Sequence, residues 1–557
     1  MSQKQQTVGR KPRIRLNFWT VVIIVFLVLA AIFIIYPFAQ LFIQSFFPKG
    51  GAFSLKNYQT FFEKKYYMTG LKNSLSLCCC ATILGVLLGI PMAYAVSRFN
   101  IWGKRVINIM VVLSMLSPPF IGAYSWVLLL GRSGFITELL RGFGIEIGSI
   151  YGFKGILLVF TLKLFPYVFM YVSSALSTFD SALEEASESL GVHGIQRVFR
   201  VTLPVIMPTI LSSALMVFMD SLADFGTPLL IGEGYKTLPV MIYEKYLSEV
   251  SSNASFASTL SVVIVVCAML VLALQKWFIA RKNYTMSGLR PPAVKKLSTG
   301  KRILASAAVW LIALLAVLPQ ITVVVTSFLK TNGPLFVKGF SLDSYKAIAY
   351  RLSSNIKNTY LFAFLAIIFM MIIALLLAYI IVRRRSKISS ILDMLFMFPY
   401  VIPGSVLGIA LVMAFNQKPL LLHGTVALMV ISYVIRKLPF TLRSSIGILY
   451  QIEPSIEEAS ISLGVPPMKT FFKTTAILML PGMFSGAVLS FIATINELSS
   501  TIILYTGRTA TISVAIYSEI FKDGYGTAAA LATILTFTTI ICLAIFNKVS
   551  GGKSVVD

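Results

Sequence analysis

The stretch FWTVVIIVFLVLAAIFIIYPFAQLFI, residues 18–43, carries no charged side chain. About 20 apolar residues in a helix cross the hydrocarbon core of a bilayer. This run is too long for the core of a signal peptide, and no small-residue cleavage site follows it. It reads as an uncleaved first membrane span behind a basic tail (Lys4, Arg10, Lys11, Arg13, Arg15). The rest of the chain has the same character. Of 557 residues, 57% are hydrophobic and 12% charged, against about 25% charged in an ordinary soluble domain. Soluble α/β enzymes are excluded, because their apolar strands are much shorter.

The ~20-residue criterion predicts about twelve spans. Six lie near 18–43, 73–97, 106–130, 151–178, 199–219 and 256–279. Six more lie near 303–328, 357–382, 389–415, 421–450, 472–494 and 526–546. Pro204, Pro208 and Pro481 interrupt the fifth span of each set. Pro118-Pro119 and Pro399/Pro403 break the third. The fold class is an all-α integral membrane protein of two tandem six-helix lobes. The predicted parts are a tail (1–17), a first lobe (18–280), a linker (281–302), a second lobe (303–547) and a second tail (548–557). The formal net charge is +27. Bases flanking spans account for it better than nucleic-acid binding does, since no aromatic-studded basic groove is visible. Arg98, Lys104, Arg105, Arg383, Arg384, Arg385 and the bases of the linker place the N-terminus, these loops and the C-terminus inside.

The two lobes are an internal repeat. A shift of 273 residues superimposes Pro166 on Pro439, Asp180 on Glu453, Glu185 on Glu458, Gly191 on Gly464, Pro208 on Pro481 and Asp224 on Glu497. Earlier landmarks repeat with a slightly larger shift: Pro37 and Pro319, Asn73 and Asn358, Tyr94 and Tyr379. Six spans separate the copies, so both have one orientation, about a pseudo-twofold axis along the membrane normal.

Between its fourth and fifth spans each lobe has one long polar loop. The first reads STFDSALEEASESLGV (177–192) and the second ILYQIEPSIEEASISLGV (448–465). Glu184, Glu185, Ala186 and Ser187, like Glu457, Glu458, Ala459 and Ser460, lie in helix-favouring stretches. Gly191 and Gly464 permit a left-handed turn before a second short helix. The pattern resembles the EAA loop of ABC importer permeases: Glu-Ala-Ala/Ser, three residues, Gly, nine residues, an apolar residue, one more, Leu-Pro. Val201, Leu203 and Pro204 complete it in the first copy. Thr474, Ala476 and Ile477 depart from it in the second, which puts an identical exit from that loop in doubt. The resemblance spans both lobes. It implies that each loop seats in a groove of an ATPase subunit and transmits its closure. It also implies two such subunits, a homodimer, which bind the ATP and Mg, and an extracytoplasmic solute-binding protein. The chain then has no cofactor and no catalytic residue, in a bacterial or archaeal cytoplasmic membrane. The chain's Gly552-Lys553-Ser554 is not a phosphate loop, because Asn547 stands where the first glycine belongs.

Acidic residues in apolar surroundings are costly and invite a functional reading. Asp220 and Asp224 close the fifth span of the first lobe, and Glu497 takes the place of Asp224 in the second. Two readings stand: these acids line the translocation route, or each caps a helix end or pairs with a loop base. The strings Asp224-Phe225-Gly226-Thr227-Pro228 and Asn496-Glu497-Leu498 resemble those of fused ferric-iron permeases, which implies ferric iron as solute. That group is similar to permeases for phosphonates, sugar phosphates, thiamine and polyamines. Cys78, Cys79 and Cys80 are adjacent in an apolar run, and the two histidines, His193 and His423, are far apart, so no metal site is read from them. An ion-coupled secondary transporter would carry charges deep in several spans and no paired loops. A membrane enzyme would need a cluster of His, Asp or Cys at one depth.

Overall fold

The computed structural model describes residues 17–48, 51–115, 118, 120–146, 148–177, 179–247, 254–280, 294–333 and 335–549. The basic tail, Pro119, linker residues 281–293 and Gly552-Lys553-Ser554 lie outside the described residues. The first half runs through α1 (Phe18–Phe46), α2 (Lys65–Arg98), α3 (Lys104–Met115), α4 (Ile121–Leu130), α5 (Phe153–Ser177), the short α6 (Ser181–Ser189), α7 (Met207–Ala223), α8 (Leu238–Leu247) and α9 (Ala254–Ala280). The second begins with α10 (Thr299–Ser327) and an antiparallel hairpin of β1 (Leu329–Asn332) and β2 (Leu335–Phe340). It continues through α11 (Ser353–Arg383), α12 (Lys387–Val401), α13 (Gly404–Phe415), α14 (Val426–Gln451), the short α15 (Pro454–Ser462), α16 (Ala476–Ile495), α17 (Ile512–Phe521) and α18 (Tyr525–Val549). Leu87, Leu304, Leu311 and Phe364 stay exposed on these helices, as side chains that meet lipid do.

Among the described residues, eight helices are long and apolar enough to cross a membrane, or ten if each of two bent pairs is one span. The sequence predicts twelve, and two of the predicted spans fall on segments that do not meet this criterion. One is α3 with α4, parted at Pro118 and at Phe120, whose φ is +65°. The other is α14, 26 residues long but carrying Arg436, Lys437 and Arg443.

The prolines do not act alike. α12 and α13 meet at 111°, and the helix Gly194–Val205 meets α7 at 74°. Pro481 instead sits inside α16 without ending it. A proline removes one backbone donor and crowds the preceding turn, so it breaks a helix only where packing accepts the bend. The two loops therefore have different exits, bent where Leu203-Pro204 is present and nearly straight where Ala476-Ile477 replaces it.

Within the first half α2, α5 and α7 pack together, and α11, α14 and α16 repeat the arrangement. Gly89 permits a close approach of α2 to α5: a Cβ there would stand 2.6 Å from the Val168 Cβ. The first spans cross over between halves. α1 packs on α12 and α13, while α10 packs on α3 and α4. Trp19 stacks on Tyr379 at 4.5 Å and meets Phe471 edge-on at 4.9 Å. Ser125 Oγ donates to the Pro319 carbonyl at 2.9 Å. One hydrophobic core joins Trp19, Phe26 and Phe38 to Phe396, Phe415 and Leu442. The other joins Ile107, Trp126 and Phe165 to Val309 and Ala313. Each half's first span thus completes the other half's interior.

Candidate functional site

The two polar loops are built alike. Asp180 opens α6 by accepting from the Ala182 amide at 3.0 Å. Past the helix, Gly191 has φ +78°, and past α15 Gly464 has φ +87°. An added Cβ would meet nothing within 4 Å at either, so glycine answers to backbone conformation there and not to space.

The first glutamate of each loop turns inward. Arg98, the last residue of α2, places Nη2 2.9 Å from Glu184 Oε1, and Arg197 lies 3.6 Å from Oε2. Arg383, the last residue of α11, donates from Nε to Glu457 Oε1 at 3.1 Å, and the Tyr379 hydroxyl donates to Oε2 at 3.0 Å. Arg383 Nη2 also donates to the Ile452 carbonyl at 2.6 Å. The register that superimposes Tyr94 on Tyr379 superimposes Arg98 on Arg383. The same tether therefore occurs twice. Beside it, the hydrogen bond and charge of Arg197, with the charge of Lys295, hold the Glu188 carboxyl below the usual carboxylate range.

Glu185, Ala186, Glu458 and Ala459 face outward. Ser187 is buried and donates to the Glu184 carbonyl at 2.7 Å; Ser460 is half-buried, 3.0 Å from the Thr470 hydroxyl. Sequence reading missed the apolar residues around them. Leu183, Leu190, Ile195 and Phe199 are exposed, and so are Ile456, Leu463, Met468 and Phe472. The shift of 273 relates the two sets one to one. Leu190 and Leu463 reach 82% and 85% exposure on these polar loops, a cluster of exposed apolar side chains of the kind that marks an interaction surface.

The predicted acidic residues lie in the seam between halves. Lys163 Nζ on α5 is 2.9 Å from Asp224 Oδ2. Arg436 Nη1 and Lys437 Nζ on α14 are each 2.7 Å from a Glu497 carboxylate oxygen. Lys163 matches Arg436 under the shift of 273, so this ion pair also recurs. Asp224 accepts from the Thr227 amide at 2.9 Å and Glu497 from the Ser500 amide at 3.1 Å. Each acid therefore caps a helix start and pairs with a base. The base stands on a neighbouring span, where the sequence reading placed it on a loop. Gly404 makes room for this layer: a Cβ there would fall 1.4 Å from Arg436 Nη1.

Asp220, Asp224 and Glu497 also border one cavity of about 150 Å³. A larger one, about 650 Å³, lies toward the polar loops, walled by Tyr167, Tyr171, Met216, Tyr400 and Phe440. Asp220, Arg436 and Asn496 border both. Among the described residues no three His, Cys, Asp or Glu side chains gather to hold a metal, and all five cysteines are free.

A two-lobed helical bundle with a charged seam and a tethered loop in each lobe defines a membrane permease. The chain belongs to the family described as the binding-protein-dependent transport system inner membrane component, which matches residues 85–284 and again 371–551. It is 29% identical over 534 residues to the ferric transport system permease protein FbpB of Actinobacillus pleuropneumoniae, covering 93% of this chain and 76% of that one. It is 30% identical over 506 residues to the putative ferric transport system permease protein FbpB 1 of Haemophilus influenzae, covering 88% of this chain and 78% of that one. Among solved structures, a bacterial ABC transporter that imports alginate aligns with a TM-score of 0.40 at 20% identity, covering 47% of this chain and 94% of that one. The chain is thus the non-catalytic permease subunit of an ABC importer, whose ATP hydrolysis belongs to a separate subunit.

Proposed function

We propose that this chain carries ferric iron across a bacterial or archaeal cytoplasmic membrane, from an extracytoplasmic binding protein to the interior, with both termini inside. The route follows the seam between lobes 18–280 and 303–547, past Asp220, Asp224 and Glu497. Two identical ATPase subunits, which bind the ATP and Mg, seat on the loops around Glu185, Ala186 and Gly191 and around Glu458, Ala459 and Gly464.

The observation that carries this reading is the duplicated loop, with an exposed apolar row outside and an arginine-held glutamate inside. Such a loop takes a push at its surface and delivers it to the end of a membrane helix. Ferric iron is favoured by relatives named for ferric transport that align along nearly the whole chain. The decisive assay reconstitutes chain, ATPase and binding protein in proteoliposomes and follows radioactive Fe(III) delivered by the binding protein. ATP-dependent accumulation is expected. Accumulation of a phosphonate or a polyamine in place of iron would reject the substrate, and uptake indifferent to ATP would reject the machinery.

A further inference from the structure

We infer that Tyr243 and Tyr517 form the outer gate of the seam, backed by Phe120 and Phe225; this deepens the transport reading above and rests on it. Tyr243 stands on α8 and Tyr517 on α17, and their hydroxyl oxygens are 2.9 Å apart. The two are mates in the repeat: Met241-Ile242-Tyr243 matches Ala515-Ile516-Tyr517 with a shift of 274. Residues related by a twofold axis touch each other only where they lie on that axis. A route between two such lobes runs along the same axis, so this hydrogen bond lies across it.

The rings make the closure thick. Phe225 stacks on Tyr243 with centroids 5.2 Å apart, and Phe120 meets Phe225 edge-on at 5.9 Å and Tyr517 at 5.2 Å. Phe120 and Phe225 are buried, whereas the two tyrosines are half-buried. Phe225 directly follows Asp224 and borders the small cavity. The layer therefore stands beyond the end of α7 that lies away from the polar loops, with the acids between it and the large cavity. Phe120 holds its place against local preference. Its φ of +65° lies in the region that favours glycine, a conformation that persists only where the surroundings impose it and that gathers at clamps and switch points. Gly226 leaves room for the ring: a Cβ there would stand 3.2 Å from two of its carbons. Such an apolar layer excludes water, and a hydrated ion with it. The tyrosines themselves are joined by a single neutral hydrogen bond, which adds little net stability. A movement of the loops that turns one half against the other parts them.

The test uses the chain with its ATPase subunits in proteoliposomes. Tyr243→Ala/Tyr517→Ala removes both rings. Vesicles carrying this variant should lose an imposed pH gradient without ATP or binding protein, while vesicles carrying the unaltered chain hold it. The second arm starts from a chain whose five cysteines are replaced by alanine. There Tyr243→Cys/Tyr517→Cys, joined by a cleavable bis-thiosulfonate, should lose ATP-dependent iron uptake, and reduction should restore it. Co-purification of the ATPase checks that each variant is assembled. A gradient held by the assembled alanine variant, cysteines that do not join, or uptake that persists across the link each overturns the gate and leaves the transport reading standing. The leak needs neither solute nor nucleotide. Failure of the unaltered chain to take up iron therefore overturns the ferric reading, and the leak still decides the gate.

Discussion

Arg98 and Arg383 close the second span of each half, and each holds the first glutamate of a loop far along the chain. Both partners are largely buried. Removing one member of a buried pair strands the other and costs about 3–5 kcal/mol. Arg383→Met is therefore expected to raise hydrogen exchange across residues 454–473 and to leave ATP hydrolysis running without uptake. The exchanged pair Arg383→Glu/Glu457→Arg should recover part of both. Exchange rates that do not move would retire the tether. A second prediction concerns space. Gly404→Ala must evict the Arg436 guanidinium from its contact with Glu497, while Gly85→Ala meets Val217 at 3.5 Å, an ordinary contact. Thermal unfolding should show a clear loss for the first and little for the second; equal losses would contradict the packing described. The tethering arginines were visible in the sequence only as charges flanking spans. Nothing local distinguishes a base that orients a helix from one that grips a distant carboxylate.

Within the loops, the inward face is spoken for and the outward face is not. Leu190→Ser and Leu463→Ser should leave the chain folded, since both side chains are already in solvent. Burying a leucine is worth about 1.5–3 kcal/mol, so each change should weaken ATPase association by roughly tenfold or more. Titration of the ATPase against the purified chain measures it, and unaltered affinity would move the docking surface elsewhere. The spans and loops themselves were legible, because a run of about 20 apolar residues and a repeated motif are properties of short stretches. Their breaks were less so. Pro208 and Pro481 occupy matching places, yet only the first lies beside a sharp bend. Leu203-Pro204, present in one copy and missing from the other, was the local signal of that difference. The charged seam was half legible. The acids stood out against apolar neighbours, but that Lys163 and Arg436, matched by the shift of 273, are the bases that hold them is shown only by the contacts.

Across the whole molecule, the crossing of the first spans decides how the halves hold together. α1 is built into one interior and α10 into the other. Two polypeptides divided between residues 281 and 293 are expected to co-purify as a working pair when made together, and to be degraded or aggregate when made singly. Stable, separately folded halves would contradict the shared interiors. The same crossing sets a timetable for synthesis. The ribosome finishes α9 before α10 exists, so α3 and α4 enter the membrane with one flank unclothed. A chain stalled after residue 280 would display that flank to the insertion machinery and to membrane proteases, and only continued translation can cover it.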